Sequence, residues 1–350
     1  MECARSRLVM TLVSSVELGV VEPLVLHHTS ETPPGFLSQE VLGEAFYAAT
    51  KEREIPGFQF GYLVATRAGE SVATVPYFLT DFKLNTMLED GWLKRLLGNA
   101  GFRMACVGHP CSTFGQIDGT VSPDLMPAVY EHLRKLASVI SIKGFPVDFP
   151  APGFVQIKGF PAAILYVREN FWASLSASRR RNLQRKRKVS SAIRFEITQG
   201  LPSKHLDEIH EFYVLTCSRS SIDFAALSKD YFVSTSPLSH YVLAYLNGQL
   251  VGFIQAICNH KTMVAGYIGL DQNCSREHGV YFSLVMRAVD LAIEKKYEKI
   301  ELGETHYTFK KALGSKLETN YAYFRHRNKL AHAVMSVFSF LFEPSEKELL

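Results

Sequence analysis

An internal repeat constrains the fold of this chain more than any other feature of its sequence. Residues 62–78 and residues 241–257 align without a gap, so that Gly69 matches Gly248. Each stretch has two arms rich in β-branched and aromatic residues, joined by a glycine that can supply the positive φ of a tight turn. Each stretch predicts a β-hairpin. The match predicts that one structural unit occurs twice, the alternative being a chance likeness between two hairpins.

The segments that follow each hairpin repeat the same order of elements. In the first half, apolar residues at helical spacing from Val129 to Ile140 predict a helix, and residues 145–149 predict a strand. In the second half, apolar residues from Phe282 to Ile293 predict a helix, and residues 299–302 predict a strand. Hairpin, further strand, helix and strand therefore occur twice, which indicates two fused copies of one small domain.

A stretch rich in Gly and Pro, residues 153–161, predicts the join between the copies. We expect an N-terminal domain over residues 1–155 and a C-terminal domain over residues 156–350. Beyond the join the sequence predicts a strand, a helix, a short strand and a second helix: 162–167, 171–188, 195–198 and 206–217. The expected fold class is α/β of the α+β kind, with a mixed, mostly antiparallel sheet flanked by helices in each domain.

Composition excludes several classes of protein. The 350 residues are 47% hydrophobic and 21% charged, which is typical of a folded domain and not of a disordered or membrane-embedded chain. The net charge of +4 gives no global attraction to DNA. The six cysteines are scattered without a CxxC pair, so we expect neither a metal site nor disulfides, and a cytoplasmic location.

Two apolar segments near the chain ends are short. Residues 8–16 lack a clear cleavage site and predict the approach to a first strand rather than a signal peptide. Residues 331–342 fall below the roughly 20 residues that a membrane-spanning helix needs. They predict a docking helix, and no membrane span.

Three further segments carry a family resemblance. They are an Arg-rich stretch at 174–188, the GYIGLD strand at 266–271 with the helix after it, and the closing segment at 303–314. Together they resemble the FemAB-like branch of the GNAT acetyltransferase superfamily, whose members are tandem GNAT domains, and the resemblance covers about residues 62–327. It implies transfer of an acyl or aminoacyl group from acyl-CoA, acyl-carrier protein or aminoacyl-tRNA to an amine. It also implies no metal, no bound cofactor and no covalent nucleophile.

The resemblance is incomplete at the phosphate-binding loop. Acetyl-CoA enzymes open the central helix with an Arg/Gln-x-x-Gly-x-Gly/Ala loop, whereas residues 273–281 keep only Arg276 and Gly279. A helix N-terminus there still favours an anion. The basic run of the Arg-rich stretch, with Arg180, Arg181 and Arg185, is the second candidate for the phosphates of the carrier or of tRNA. Its alternative is a solvated helix face.

The end of the predicted last core strand carries the candidate chemistry. Amide formation needs a base for the amine and a proton for the leaving group, and we expect Glu304 or His306 to be the base, with a solvated polar loop as the alternative. Tyr307 is a candidate proton donor or orienting group, with a buried structural tyrosine as the alternative, and Glu301 could equally be a surface residue. Lys310 could bind a carboxylate or phosphate, or could simply extend from a helix toward solvent. The resemblance to a Tyr-x-x-Lys-like ending supports Tyr307 and Lys310.

Two residues near the central helix complete the candidate set. Tyr281 is a second candidate to orient or protonate a substrate, with a buried structural role as its alternative. Asp271 could bind the acceptor amine, although an Asp before a turn often caps a helix.

The leading hypothesis is an N-acyltransferase that acts on a small amine or amino acid through direct attack within a ternary complex. The second is an aminoacyl-tRNA-dependent aminoacyltransferase of the Fem type, suggested by the basic run. The third is a non-catalytic module that kept the fold, suggested by the incomplete phosphate loop.

Overall fold

Two mixed β-sheets, each flanked by helices, make up residues 22–83, 101–218, 226–273 and 276–344, which are those the computed structural model describes. The first sheet consists of β1 Val25–Thr29, β2 Phe58–Arg67, β3 Glu70–Lys83, β4 Gly101–Val107, β5 Asp118–Gly119, β6 Val139–Phe145, β7 Val155–Lys158 and β15 Tyr321–His326. The second consists of β8 Ala162–Tyr166, β9 Arg194–Gln199, β10 Ser239–Leu246, β11 Gln249–Cys258, β12 Thr262–Leu270, β13 Lys299–Glu301 and β14 Lys316–Glu318.

The described helices lie between these strands in the chain, except for the last one, which follows β15. They are α1 Glu44–Ala49, α2 Leu125–Leu133, α3 Phe171–Ser174, α4 Ala177–Val189, α5 Leu206–Cys217, α6 Lys229–Ser234, α7 Val280–Glu294, α8 Tyr307–Leu313 and α9 Lys329–Val337, with short 3₁₀ turns at Ser203–His205, Ser236–Leu238 and Ser339–Phe342.

The two predicted hairpins are confirmed and match each other in detail. β2–β3 and β10–β11 are antiparallel pairs. Their turns have positive φ at both central residues, 52° and 84° at Ala68-Gly69 and 51° and 83° at Asn247-Gly248, as a two-residue type I′ turn requires. The register shifts after Ala65 in the first hairpin and after Ala244 in the second, which are aligned positions in the sequence repeat. This shared irregularity supports duplication over a chance likeness.

Strand order in the sheets repeats as well. The first sheet runs β1-β2-β3-β4-β6-β15-β7 and the second runs, in the same direction, β9-β10-β11-β12-β13-β8-β14. In both sheets a parallel pair, β4 with β6 and β12 with β13, follows the hairpin. The strand between the parallel pair and the last strand is therefore β15 in the first sheet and β8 in the second.

Those two strands are exchanged between the copies. The chain leaves the first sheet after β7 and enters the second as β8, and it leaves the second after β14 and returns to the first as β15. The backbone links these crossings, because Gly159 N donates to Asn320 O over 2.9 Å. The first sheet thus contains strands from both sides of the predicted division at residue 155, whereas every strand of the second sheet lies after it. That division remains a prediction.

Two sequence-based assignments in the first half are wrong. The predicted helix over residues 129–140 ends at Leu133, and the predicted strand at 145–149 is displaced to β6, Val139–Phe145. Ile140 is fully buried in β6 rather than on a helix face. The four apolar residues at helical spacing begin in a helix and end in a strand. A strand that is buried on both sides also gives an apolar run, so the spacing alone did not separate the two elements.

The second half follows the sequence more closely. α5 has the predicted bounds, and the strands predicted at 162–167, 195–198 and 299–302 correspond to β8, β9 and β13. The helix predicted over 171–188 is interrupted, since α3 ends at Ser174 and Ser176 caps α4 by accepting from the N–H of Arg179. Among the residues described, no helix has the length and apolar composition needed to cross a membrane.

A shared core joins the sheets. One cluster packs α7 against the second sheet, another packs α2 against the first, and a third takes side chains from both halves. The third includes Phe58 and Phe78 from the first hairpin and Tyr241 and Phe253 from the second. The two copies are therefore packed against each other through equivalent faces.

The matched turns generate a stability prediction. A Cβ on Gly69 or Gly248 meets no atom within 4 Å, so Gly69→Ala and Gly248→Ala isolate the cost of positive φ. We expect each to lower the free energy of unfolding by roughly 1 kcal/mol in urea denaturation. Gly266→Ala is the control, since that glycine lacks a positive φ and its nearest contact would be 3.8 Å away. Equal effects at all three positions would contradict the prediction.

Candidate active site

The second sheet opens between β12 and β13. These parallel strands pair only from Thr262–Lys299 to Val264–Glu301. Beyond that point β12 continues along β11 as far as Leu270, whereas Leu302 N turns to β8 and donates to Ala163 O over 2.9 Å. Strands that separate in this way leave a cleft at their ends. The segment after β13, which carries the predicted catalytic residues, emerges at this opening.

Lys310 is the most unusual ionisable residue at the opening. It lies in α8 with only 2% of its surface exposed, and burial lowers its pKa to about 7, while the charge of Glu304 opposes that shift. Its amine lies over the backbone of Gly303, where a Cβ would be 4.0 Å from Nζ. An amine near half-protonation at neutral pH can both give and take a proton.

Glu304 is partly buried beside Lys310. Burial raises the pKa of its carboxyl, and Lys143, a hydrogen bond from Thr113 and the charge of Lys310 act in the opposite direction. A carboxylate with a raised pKa is a stronger base than an ordinary surface glutamate. Two of its three partners, Lys143 in β6 and Thr113, come from the first half of the chain. The site is therefore built by both copies.

The sequence reasoning missed this contribution of the first half. Residues 108–115, Gly-His-Pro-Cys-Ser-Thr-Phe-Gly, follow β4 and carry Thr113, and Lys143 Nζ donates to Pro110 O over 3.4 Å. The sequence feature that could have indicated a functional loop is this stretch of Gly, Pro and small polar residues after a buried strand. Which site it faces depends on how the two sheets pack.

His109 fixes the start of this loop. It is 1% exposed, its Nδ1 accepts from the N–H of Cys111 over 3.2 Å, and its Nε2 lies 3.0 Å from Thr50 Oγ1. The ring is therefore neutral with its proton on Nε2, and burial lowers its pKa to about 3. Burial also raises the pKa of Cys111 to about 11, so this thiol is no thiolate nucleophile at neutral pH.

His306 and Tyr281 form a second predicted pair that the fold brings together. Their ring centroids are 4.7 Å apart. His306 precedes α8 with a φ of 54° and is exposed, and burial and Lys310 lower its pKa. Tyr281 lies in the first turn of α7, and burial raises its pKa. The pair adjoins Lys310 and forms an aromatic surface that includes one imidazole.

The other predicted residues at this end of the sheet have structural partners. Tyr307 is fully buried and its hydroxyl donates to Pro161 O over 2.9 Å, which ties α8 to the chain entering β8. Asp271 Oδ1 accepts from the N–H of Asn273 over 2.9 Å in the turn after β12. Glu301 pairs with Lys299 at 3.0 Å within β13.

Some cations of the basic helix α4 bind groups within the fold, and others line a groove. Arg180 donates to the carbonyls of Ala173 and Leu175, over 2.8 and 2.6 Å, and so joins α3 to α4. Lys186 lies 3.5 Å above the ring of Phe282, and Arg187 pairs with Asp290 at 3.0 Å. These side chains hold α4 against α7.

Three of the remaining cations of α4 line an open groove. It is formed by Ser178, Arg181, Gln184, Arg185 and Lys188. Within the described part of the chain, Arg181 and Arg185 have no ion pair or hydrogen bond from their guanidinium groups. The predicted phosphate residues thus divide, with Arg181 and Arg185 available to an anion and Arg180 used within the fold.

The start of α7 lies beside the end of α4. Gly279 precedes the helix with a φ of 59°, no side chain caps it, and a Cβ there would lie 3.7 Å from Val189. Arg276 is exposed nearby in the chain. The first-turn N–H groups of a helix of this length favour an anion, so this end and the α4 groove are suited to phosphate.

The equivalent helix of the first copy has an acidic residue at its N-terminus. Asp124 precedes α2, accepts from Ser122 Oγ over 2.7 Å and pairs with Arg67 at 2.8 Å. This side chain accepts no hydrogen bond from the helix N–H groups, but its negative charge makes this helix end less favourable for a further anion. The two copies therefore differ in charge at the N-terminus of this helix. Among the described residues, no group of three or more His, Cys, Asp or Glu could hold a metal ion.

Comparison with solved structures identifies the architecture. The tandem GNAT protein of the clavulanic acid pathway aligns with 87% of this chain and 99% of its own at a TM-score of 0.55 and 11% identity. FemX aligns with 80% of this chain and 91% of its own at 0.51 and 11% identity. The C-terminal domain of a protein from Agrobacterium fabrum assigned as a lysylphosphatidylglycerol synthetase aligns with 84% and 90% at 0.55 and 14% identity.

The chain has the tandem GNAT fold. At these identities the likeness is one of fold, and it confirms the predicted fold class. No family model and no curated protein sequence matches the chain.

The buried Lys310 generates a prediction of pH-dependent stability. Its folded pKa of about 7 lies below the ordinary lysine pKa of 10.5, so between these values the unfolded chain binds more protons and stability rises with pH. We expect the wild type to gain up to a few kcal/mol relative to Lys310→Met between pH 6 and pH 10. Lys311→Met makes the same change at the exposed neighbour. Parallel pH curves for wild type and Lys310→Met would refute the buried amine.

Proposed function

We propose that this chain is a cytoplasmic N-acyltransferase that moves an acyl group from an activated carrier to a small amine or amino acid, with no metal and no covalent intermediate. The observation that carries the proposal is the placement of Glu304 and Lys310 together at the opening between β12 and β13. The shared fold with a tandem GNAT protein and with the lysylphosphatidylglycerol synthetase domain supports a transfer reaction.

Glu304 is proposed as the general base. The free amine attacks the carbonyl carbon of the acyl group, and the nitrogen gains a positive charge as the tetrahedral intermediate forms. Glu304 takes the proton from that nitrogen. Its raised pKa favours this transfer, and Lys143 and Thr113 are proposed to hold the carboxylate in place.

Lys310 is proposed as the general acid. Its ammonium donates a proton to the leaving sulfur or oxygen as the bond between that atom and the acyl carbon breaks. The proton on Glu304 then returns to the neutral amine of Lys310, which restores both groups. Because its pKa is near 7, Lys310 can complete this cycle at neutral pH.

The remaining candidates are given supporting roles. Arg181, Arg185, Arg276 and the N–H groups after Gly279 are proposed to bind the phosphates of acyl-CoA or of the acyl-carrier arm. His306 and Tyr281 are proposed to line the acceptor side. Tyr307 and Asp271 are given no chemical step, because the hydroxyl of Tyr307 and one oxygen of Asp271 are committed to backbone partners.

The proposed roles predict a bell-shaped dependence of kcat on pH. Activity falls at low pH as Glu304 becomes protonated and falls above about pH 7 as Lys310 loses its proton. Glu304→Gln is expected to reduce kcat by about 10²–10⁴-fold while it still binds donor, and Lys310→Met by a similar factor with loss of the basic limb. Steady-state kinetics with an acyl-CoA or acyl-carrier panel and an amine acceptor measure both.

Matched variants separate chemistry from folding. Glu301→Gln changes the same group on a neighbouring carboxylate that pairs with Lys299, and Lys311→Met serves for Lys310. Both controls should keep near wild-type kcat. Undiminished turnover in Glu304→Gln would overturn the assignment of the base.

The basic groove favours a second candidate, transfer from aminoacyl-tRNA. Arg181→Ala with Arg185→Ala is expected to weaken carrier binding roughly tenfold or more and to reduce its dependence on salt. Lys135→Ala with Arg168→Ala removes two exposed cations elsewhere and should not. Activity with charged tRNA that ribonuclease abolishes would select the tRNA-dependent reaction, and full activity without RNA would reject it.

The non-catalytic alternative is tested by binding. A carrier that binds the folded chain raises its melting temperature. A thermal shift with acyl-CoA, acyl-carrier protein or charged tRNA, accompanied by amide product, supports the transferase. No thermal shift with any of the three carriers, and no product, would favour a binding module.

A further inference from the structure

The C-terminal helix α9 exposes its apolar side. Five large apolar side chains in and after it are 49–77% exposed: Leu330, Val334, Val337, Phe338 and Phe340. Single exposed apolar residues are ordinary, but several on one short segment form a patch that marks an interaction surface. The sequence predicted a docking helix here, but α9 packs on the protein through another side and leaves its apolar side exposed.

The inward side of α9 makes few contacts. Met335 and Phe342 pack on a small cluster around Phe324 and Ile157, and the N–H of His326 donates to His332 Nδ1 over 3.4 Å. Asn328 caps the helix by accepting from the N–H groups of Leu330 and Ala331, over 2.9 and 3.1 Å. The helix is held in place at its start and end while its outer face stays open.

The outer face is spaced as one stripe. Leu330, Val334 and Val337 follow each other at intervals of four and three residues, which puts them on the same side of a helix. Ala333 is exposed beside them, and Phe338 and Phe340 extend the stripe past the helix end. Every exposed residue of this stretch from Leu330 to Phe340 is therefore apolar.

The charges just before the stripe in the chain are positive. Between Glu318 and Glu343 the sequence contains no Asp or Glu, while Arg325, Arg327 and Lys329 lie just before the helix. Arg325 is engaged with the ring of Tyr130 at 3.9 Å. Arg327 and Lys329 are exposed, and within the described part of the chain no ion pair is formed by either side chain.

We propose that α9 docks this protein on an anionic lipid surface. An apolar helix face with cations at its border lies in the plane of a membrane, with the apolar side chains among the acyl chains and the cations at the headgroups. A second copy of the chain fits less well, because this stretch offers no acidic residue to pair with Arg327 and Lys329. The proposal is independent of the acyl-transfer reaction.

Vesicle flotation of the full chain tests the proposal. We expect binding to vesicles of phosphatidylcholine with phosphatidylglycerol and much weaker binding to phosphatidylcholine alone. Val334→Ser with Val337→Ser should weaken binding to the anionic vesicles about tenfold, and Arg327→Glu with Lys329→Glu should weaken it in a salt-dependent manner.

A matched control makes the result specific. Val214→Ser with Val233→Ser makes the same change at two valines that are 47% and 48% exposed elsewhere, and it should bind like the wild type. Wild-type chain that stays in solution, or equal loss in both double variants, would overturn the proposal. So would a wild-type dimer in light scattering that Val334→Ser with Val337→Ser converts to a monomer, because that result assigns the face to a second copy.

Discussion

The exchange of β8 and β15 between the two sheets is the constraint on which the rest of the structure depends. Each strand fills the gap beside the last parallel strand of the opposite copy, β13 for β8 and β6 for β15. Neither sheet is complete without a strand that belongs to the other side of the chain's midpoint. Since unpaired backbone groups inside a sheet cost several hydrogen bonds, the two copies are expected to fold together rather than one after the other.

The exchange also positions the candidate site. β8 accepts and donates the backbone hydrogen bonds that hold Leu302 and Gly303 at the opening of the second sheet, and Pro161, just before β8, accepts from Tyr307. The segment with Glu304 is therefore held by a strand that arrives directly from the first copy. The shared core then brings Thr113 and Lys143 of the first copy to the same carboxyl.

Burial of an amine and a carboxyl in one place sets the chemistry available there. Removing water disfavours both charges, which lowers the pKa of Lys310 and raises that of Glu304, and their mutual attraction only partly offsets this. The two pKa values are pushed toward each other and toward neutrality. A pair of this kind can exchange protons with a substrate at little cost, whereas an exposed ion pair of the same residues would hold its charges. Burying these two groups costs folding free energy, and the strand exchange and the core that both copies share offset that cost.

The sequence by itself determined the local elements and the duplication. Three local properties of the chain predicted elements with correct bounds or nearly so. They are the Asn247-Gly248 pair, the alternation in the hairpin arms and the apolar face of α7. The sequence also indicated Glu304, His306, Tyr281 and Lys310 as candidate site residues, because they lie close to the end of one strand or the start of one helix. It failed where a local pattern had two interpretations, as between Leu133 and Ile140.

Tertiary structure alone decided which copy supplies which strand and what surrounds each charge. No local pattern tells β15 to leave the second sheet, since the preference arises from the partner strand and the core it completes. Thr113 and Lys143 lie more than 150 residues before Glu304, so only packing shows that they share a site. The same holds for the helices: Arg180 and Arg185 are alike in sequence, and the fold uses one as a tie between α3 and α4 and leaves the other in an open groove. Local rules select elements because they act within a few residues, whereas burial and charge pairing act between residues that only the folded chain brings together.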